Sequence, residues 1–365
     1  MPQQTVAAVL HKPGQPLAIE PVELDALAPN EVLVRNEACG ICHTDLIAAD
    51  MVPLPGVFGH EGVGVVEAVG SSVTRVVPGM RVIASYPQCA VCADCLGGKP
   101  YYCSHHMTLG FGGKRLDGTP TMFKNKQPIS GAFFQQSSFA THSIVAEPNI
   151  IRADTGLPSE ILAAIPCGIQ TGAGAILNTF KTRVGDSLAV FGVGTVGLGA
   201  IMAGVLLAIN PLIAIDINQN KLNLARELGA THVLDAREGD TTQQLKEICP
   251  SGLKFSLESS GKEVALESAI ACLANGGTCG MVIAPNMGRK YPFAPSEIFR
   301  RAAVLQGIIQ GSSVPQIFIP RLLELQRRGL FPLERLITKY PFENINAAMR
   351  DMQEGSVVKP VLTFN

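Results

Sequence analysis

Charge is scarce in this chain. Only 16% of its 365 residues are Asp, Glu, Lys or Arg, and 30 acidic against 29 basic side chains leave a formal net charge of -1. Without a basic surplus there is no electrostatic footprint for a phosphate backbone or an anionic lipid surface, so neither nucleic acid nor membrane is expected as a partner. General disorder is excluded as well, because 47% hydrophobic residues can bury a sizeable core. Residues 1–15 hold no charged n-region ahead of an apolar h-region, so no secretory signal is read and a cytoplasmic location is expected. Internal repeats and low-complexity linkers are lacking too. The uncharged run Ser187–Ile215 is as long as a membrane span, but Gly192, Gly194, Gly197, Gly199 and Asn210-Pro211 interrupt it. It reads better as strand, turn, buried helix and next strand.

The length suits two domains. Up to about Ile150, short β-prone runs (Thr5–Leu10, Glu31–Glu37, Gly62–Val69, Arg81–Ala84) are divided by Pro/Gly turns. Near Leu157 the pattern changes. Helical runs Ser159–Ile165 and Thr171–Phe180 lead into strand Ser187–Phe191, and strands then alternate with helices to Thr278–Ile283. That rhythm predicts an α/β fold with a doubly wound parallel sheet. After about Gln310 the pattern is mixed again, ending in the strand-like Val357–Phe364. The layout expected is a β-rich domain over 1–168, a nucleotide-binding domain over 169–309, and a return to the first domain over 310–365.

Gly192-Val193-Gly194-Thr195-Val196-Gly197 is a G-x-G-x-x-G turn between an apolar strand and a helical run, and Asp216 ends the next strand. In such a turn Gly192 permits the tight bend, Gly194 lets the backbone approach a pyrophosphate, and Gly197 allows close helix–strand packing. Thr195 and Val196 open the helix whose free N–H groups face the phosphates. Asp216 would accept hydrogen bonds from ribose hydroxyls and repel a 2′-phosphate, which favours NAD over NADP. Lys221 is placed either to help hold that ribose or as a solvated helix lysine.

Six of the ten cysteines lie between Cys39 and Cys103. Cys89-x-x-Cys92-x-x-Cys95-x₇-Cys103 can close a tetrahedral thiolate shell round Zn²⁺ with no open position, which makes a structural site. A redox dithiol would leave two of these cysteines without a task, and an iron–sulfur cluster usually needs other spacing. Cys42, His60 and Cys167 would form a Cys₂His set with a fourth place open, as a catalytic zinc requires. Spacing alone does not bring these three together.

The chain resembles the zinc-containing medium-chain alcohol dehydrogenases along essentially its whole length. The resemblance is carried by Cys42-His43-Thr44-Asp45, Gly59-His60-Glu61, the four-cysteine loop, Cys167-Gly168 with Thr171-Gly172, the glycine turn and Asp216. It implies a GroES-like catalytic domain beside a Rossmann domain, two Zn²⁺ per subunit, NAD, an alcohol or aldehyde substrate, and a homodimer or homotetramer. By the same resemblance Cys42, His60 and Cys167 bind the catalytic zinc, and Glu61 lies beside it. Asp45 supports the histidine, Thr44 takes the first proton, and His43 and Lys359 touch cofactor phosphate. Many members have a relay histidine where this chain has Ile47, which cannot carry a proton.

Gly311-Ser312-Ser313-Val314-Pro315-Gln316, Phe318-Ile319-Pro320, Tyr340-Pro341-Phe342 and Lys359-Pro360-Val361-Leu362 resemble the bacterial aryl-alcohol (benzyl alcohol) branch, so a primary aromatic alcohol is the expected substrate. Tyr86 is either a pocket wall or a structural tyrosine. Two alternatives stay open: a dehydrogenase of an aliphatic, allylic, polyol or glutathione-linked alcohol, and a silent NAD-binding scaffold.

Overall fold

The structure, a computed structural model, describes residues 3–153, 155–283 and 295–364. The chain divides into two compact units, one of residues 1–167 with 314–365 and the other of 168–313. The second boundary lies a few residues beyond the expected one because Gln310–Ser313 is tied to the 168–180 helical run. Asn178 donates to Gly311 O at 3.1 Å, and Thr179 donates to Ser312 Oγ at 3.0 Å.

The first unit is built on antiparallel β-structure. One sheet centres on strand Glu31–Gly40, which pairs with Gly62–Val69, His142–Ala146 and Lys359–Thr363. The other joins Gln3–Leu10 to Ala18–Leu24, Gly56–Val57 and, through Ala18–Leu24, Met122–Lys124. Alternating Val, Ile and Ala on these strands fill a core that includes Val9, Phe58, Tyr86, Phe133 and Phe139. Tyr86, 1% exposed, belongs to that core.

In the second unit six parallel strands run in the spatial order 232–235, 212–216, 188–191, 253–258, 273–281, 304–307. In chain order that is 3-2-1-4-5-6, the Rossmann arrangement, with its switch point beside Leu188–Phe191. The uncharged run resolves as expected into strand Leu188–Phe191, helix Thr195–Leu206 and strand Leu212–Asp216. Helices Gln219–Glu227 and Thr241–Ile248 begin at Asn218 and Asp240, whose side chains accept the first free N–H groups. The apolar helical run Ser159–Phe180 is long enough to cross a membrane, yet 83% of its most apolar window is buried in the protein.

Candidate active site

Three separate segments of the first unit deliver one cluster. Cys42 precedes the short helix His43–Ile47, His60 lies just before strand Gly62–Val69, and Cys167 sits in the π-helical turn Ile165–Ile169. Ser85 Oγ donates to Pro166 O at 3.2 Å, fixing the residue ahead of Cys167. Ligand atoms of Cys42, His60, Glu61 and Cys167 all lie within 4.8 Å of one another. The Cys42 and Cys167 sulfurs are 3.9 Å apart, and His60 Nε2 is 3.3 Å from Cys167 Sγ. With Zn–S bonds of about 2.3 Å, a tetrahedral shell needs a sulfur–sulfur edge of about 3.8 Å, so the donor set fits zinc.

The electrostatics also call for a cation. The Cys167 thiol holds Cys42 well below the ordinary thiol range, and the same contact, with burial, pushes Cys167 well above it. Alone, the pair favours one thiolate; a divalent ion would let both ionise. Glu61 Oε1 is buried with no hydrogen-bond partner, a further sign of room for positive charge. Burial alone would push the His60 imidazole down, but the Asp45 carboxylate and Cys42 raise it well above its usual value.

Asp45 is 2% exposed and orients both sides of this cluster. Its Oδ1 is 2.8 Å from His60 Nδ1 and accepts Gly59 N–H at 3.1 Å, while Oδ2 accepts Cys42 N–H at 2.9 Å. Holding Nδ1 in this way directs Nε2 toward the sulfurs. Thr44 Oγ1 is 3.7 Å from Cys42 Sγ. His43 and Ile47, one helical turn apart, are both exposed, Ile47 by 50%.

Lys359, expected on a cofactor phosphate, is 1% exposed here, and its ammonium donates to Glu61 Oε2 and to Ile41 O. Burial opposes the charged lysine, but Glu61 outweighs it and raises the ammonium above its usual value. Burial pushes the Glu61 carboxyl up to about 7, against the pull of Lys359. A Cβ at Gly40 would lie 1.9 Å from Glu61 Oε2 and 2.6 Å from Ala163 O, so only glycine admits this pair.

The four-cysteine loop is equally compact. Ligand atoms of Cys89, Cys92, Cys95 and Cys103 lie within 4.8 Å of one another, with Cys89 and Cys95 sulfurs 3.9 Å apart. Cys89 N–H donates to Cys103 Sγ at 3.4 Å and Cys92 N–H to Cys89 Sγ at 3.3 Å, as thiolate ligands of a closed site would accept. Backbone N–H groups of Cys95 and Ser104 draw Cys92 down to about 5. All ten cysteines are free thiols.

In the second unit, Gly192 has φ +85°, and a Cβ there would meet Ser260 at 2.9 Å. A Cβ at Gly197 would meet Gly192 O at 2.1 Å, which accounts for the close helix packing. Nothing lies within 4 Å of a Cβ at Gly194, the N-cap of helix Thr195–Leu206, so the turn keeps an open cradle at a helix N-terminus with no side-chain cap. That cradle fits a pyrophosphate. Asp216 caps it: Oδ2 accepts Val193 N–H at 2.8 Å, and Oδ1 accepts the N–H groups of Ile217 and Asn218 at 2.8 and 2.9 Å. Lys221 lies in the first turn of helix Gln219–Glu227, its N–H on Asn218 Oδ1.

Sequence reasoning missed the aromatic wall. Phe134 lies 4.6 Å from the His60 ring at a 34° tilt, and Phe133 meets it edge-on at 5.7 Å. No motif marks these residues, since aromatic neighbours read as ordinary core.

With this geometry in place, comparison with known proteins defines the class. The alcohol dehydrogenase GroES-like domain family matches residues 28–147, and the zinc-binding dehydrogenase family matches residues 195–325. The chain belongs to the zinc-containing medium-chain alcohol dehydrogenases, enzymes that use zinc and a nicotinamide dinucleotide. Among its relatives is geraniol dehydrogenase of Castellaniella defragrans, 42% identical over 98% of this chain and 97% of that one. The crystal structure of benzyl alcohol dehydrogenase from Acinetobacter calcoaceticus is 36% identical, with TM-score 0.95 over 100% of both chains. An alcohol dehydrogenase zinc-binding domain protein from Burkholderia ambifaria gives 42% identity and TM-score 0.97, again over 100% of both.

Proposed function

We propose that this protein oxidises primary alcohols whose carbinol carbon adjoins an unsaturated centre, aromatic (benzyl-type) alcohols first and allylic ones beside them, and reduces the matching aldehydes. The observation that carries the reading is the Cys42–His60–Cys167 cluster, oriented by Asp45 and walled by Phe134. The substrate class is supported by what two relatives have in common. Geraniol is an allylic primary alcohol and benzyl alcohol a benzylic one, and oxidation of either yields a conjugated aldehyde. An aromatic wall beside the imidazole suits a flat, apolar substrate.

Zinc held by Cys42, His60 and Cys167 would act as a Lewis acid on the substrate oxygen, and NAD on the glycine turn would accept the hydride. The protein does the rest. Thr44 offers its hydroxyl to take the substrate proton, and Ile47 cannot pass that proton on, so water or another group must receive it. Asp45 holds the imidazole in the tautomer whose Nε2 faces the sulfurs. Lys359 balances the Glu61 carboxylate so that it can stay buried at the cluster. Asp216 fixes the turn and favours NAD over its 2′-phosphorylated form.

The test is NADH formation from NAD with benzyl alcohol, cinnamyl alcohol, geraniol, ethanol and a secondary alcohol under identical conditions. The aromatic and allylic primary alcohols are expected to give kcat/KM at least about tenfold above ethanol, a difference of about 1.4 kcal/mol in transition-state binding. A preference for ethanol or the secondary alcohol would overturn the substrate class and leave the zinc chemistry standing.

A further inference from the structure

We infer that Gln136 is a positioning residue for the metal-ligand histidine. The inference rests on the metal reading of Cys42, His60 and Cys167. Gln136 is fully buried, at 0% exposure, and its carboxamide uses every hydrogen-bonding position on the polypeptide around His60. Nε2 donates to His60 O at 2.9 Å and to Ser85 O at 3.2 Å. Oε1 accepts Gly62 N–H at 3.1 Å and the Ser138 hydroxyl at 2.9 Å. Two carbonyls on one side and two donors on the other fix which end of the amide is which. One side chain thus grips the backbone on both sides of Glu61, at the His60 carbonyl and at the Gly62 N–H. It also ties the His60 carbonyl to Ser85, whose own hydroxyl holds Pro166, next to Cys167.

The loop that presents Gln136 is held in an unusual shape. Phe134, Gln135 and Ser137 have φ of +50°, +54° and +47°, a region that non-glycine residues rarely occupy. Such backbone persists only where the surroundings over-determine it. Here they do: Ser137 Oγ donates to Val57 O at 2.7 Å, and the N–H groups of Ser138 and Phe139 donate to Gly59 O and Phe58 O at 2.9 Å each. The loop therefore lies along Val57–Gly59, the approach to His60, while Phe134 sets its ring against the imidazole. Behind it, Asn36 donates to Ser143 Oγ at 2.8 Å and to Ala140 O at 2.7 Å, anchoring the network in the central strand. Asp45 fixes the imidazole from its Nδ1 side; Gln136 fixes the main chain from which the ring is hung. Gly62 completes the fit, since a Cβ there would lie 2.2 Å from Ser138 Oγ.

The experiment follows the metal itself. Zinc release from the purified holoenzyme into a chromogenic chelator is timed, and the visible spectrum of the Co²⁺-substituted protein is recorded. Gln136→Leu is expected to speed loss of one of the two zincs by about 10- to 100-fold and to alter the cobalt bands, the range usual for partners behind a metal ligand. The other zinc and the Kd for NADH should be unchanged. Gln136→Glu keeps both acceptor contacts and loses both donors, so it should lose the same zinc; it carries the test if the leucine variant does not fold. Gln135→Leu removes bonds to Leu109 O, Lys114 O and Ala132 O in the same loop. It should lower Tm and leave zinc release at the wild-type rate. The inference is overturned if both Gln136 variants hold zinc and give cobalt spectra like the wild type, or if Gln135→Leu releases zinc as fast as they do. Wild-type protein that takes up a single metal ion, with no Cys₂His cobalt signature, would instead remove the metal reading, and this inference with it.

Discussion

One carboxylate orients two residues of the metal cluster: Asp45 Oδ1 lies 2.8 Å from His60 Nδ1, and its Oδ2 accepts the Cys42 N–H at 2.9 Å. Asp45→Asn leaves an oxygen for one of these contacts but not both. Zinc affinity at this site should fall by about 10- to 100-fold, with kcat/KM falling in step. Competition with a chelator of known affinity measures the first and steady-state kinetics the second. Wild-type values for both would mean that the imidazole needs no support.

Lys359 and Glu61 form a buried ion pair, both at 1% exposure or less. Removing one partner of such a pair strands the other, at a typical cost of about 3–5 kcal/mol. Lys359→Met is therefore expected to unfold at markedly lower urea concentration, and adding Glu61→Gln should recover part of the loss. The opposite pattern, near-normal stability with a raised Kd for NADH, would favour the phosphate role that the resemblance implies for Lys359.

The first two glycines of the turn meet different demands and predict different failures. Gly194→Ala meets open space, so the protein should fold within about 0.5 kcal/mol of wild type. The added methyl sits where a pyrophosphate would lie, so the Kd for NADH should rise about tenfold or more, about 1.4 kcal/mol. Gly192→Ala forces φ +85° on alanine and a Cβ against Ser260, so it should lose stability first. Calorimetry and fluorescence titration separate the two. Equal effects from both would contradict this division.

Glu258 is buried at the end of strand Leu253–Glu258 and accepts the Ser260 N–H at 2.7 Å and the Gly261 N–H at 3.1 Å. Burial raises its carboxyl above the usual range despite these bonds. A raised pKa means that the folded state binds the proton more readily than the unfolded chain. Stability from this group is present below its unfolded pKa and lost as pH rises through the folded one. The Tm of Glu258→Gln minus that of wild type should therefore increase from pH 5 to pH 8. A flat or falling difference would mean that burial does not raise the Glu258 carboxyl in the folded protein.

Ile47 stands exposed where many relatives are expected to carry a relay histidine. Ile47→His should change the pH dependence of kcat without abolishing turnover. An unchanged profile would count against proton transfer along this face of the helix.

What could be read from sequence follows from how local each feature is. The glycine turn and the four-cysteine loop keep their chemistry within short spans, so spacing alone exposed them. The parallel strands were legible as short apolar runs alternating with helical ones. The cluster of Cys42, His60 and Cys167 was not legible from spacing, because they come from three segments that only the fold unites. The pairing of Lys359 with Glu61 left no signal in spacing either, because 298 positions separate them and only the fold brings them together. Gln136 and Phe134 left no signal at all. Their roles depend on a turn in left-handed backbone that nothing in the residue types predicts, since none of its positive-φ residues is glycine.

Cys42, His60 and Cys167 are expected to hold one zinc while the four-cysteine loop holds another. Metal analysis of wild type and Cys167→Ser, with activity measured on the same samples, tests it most directly. Two zincs per chain falling to one, with dehydrogenase activity lost and the fold retained, is the predicted result. Two zincs retained with full activity would contradict it.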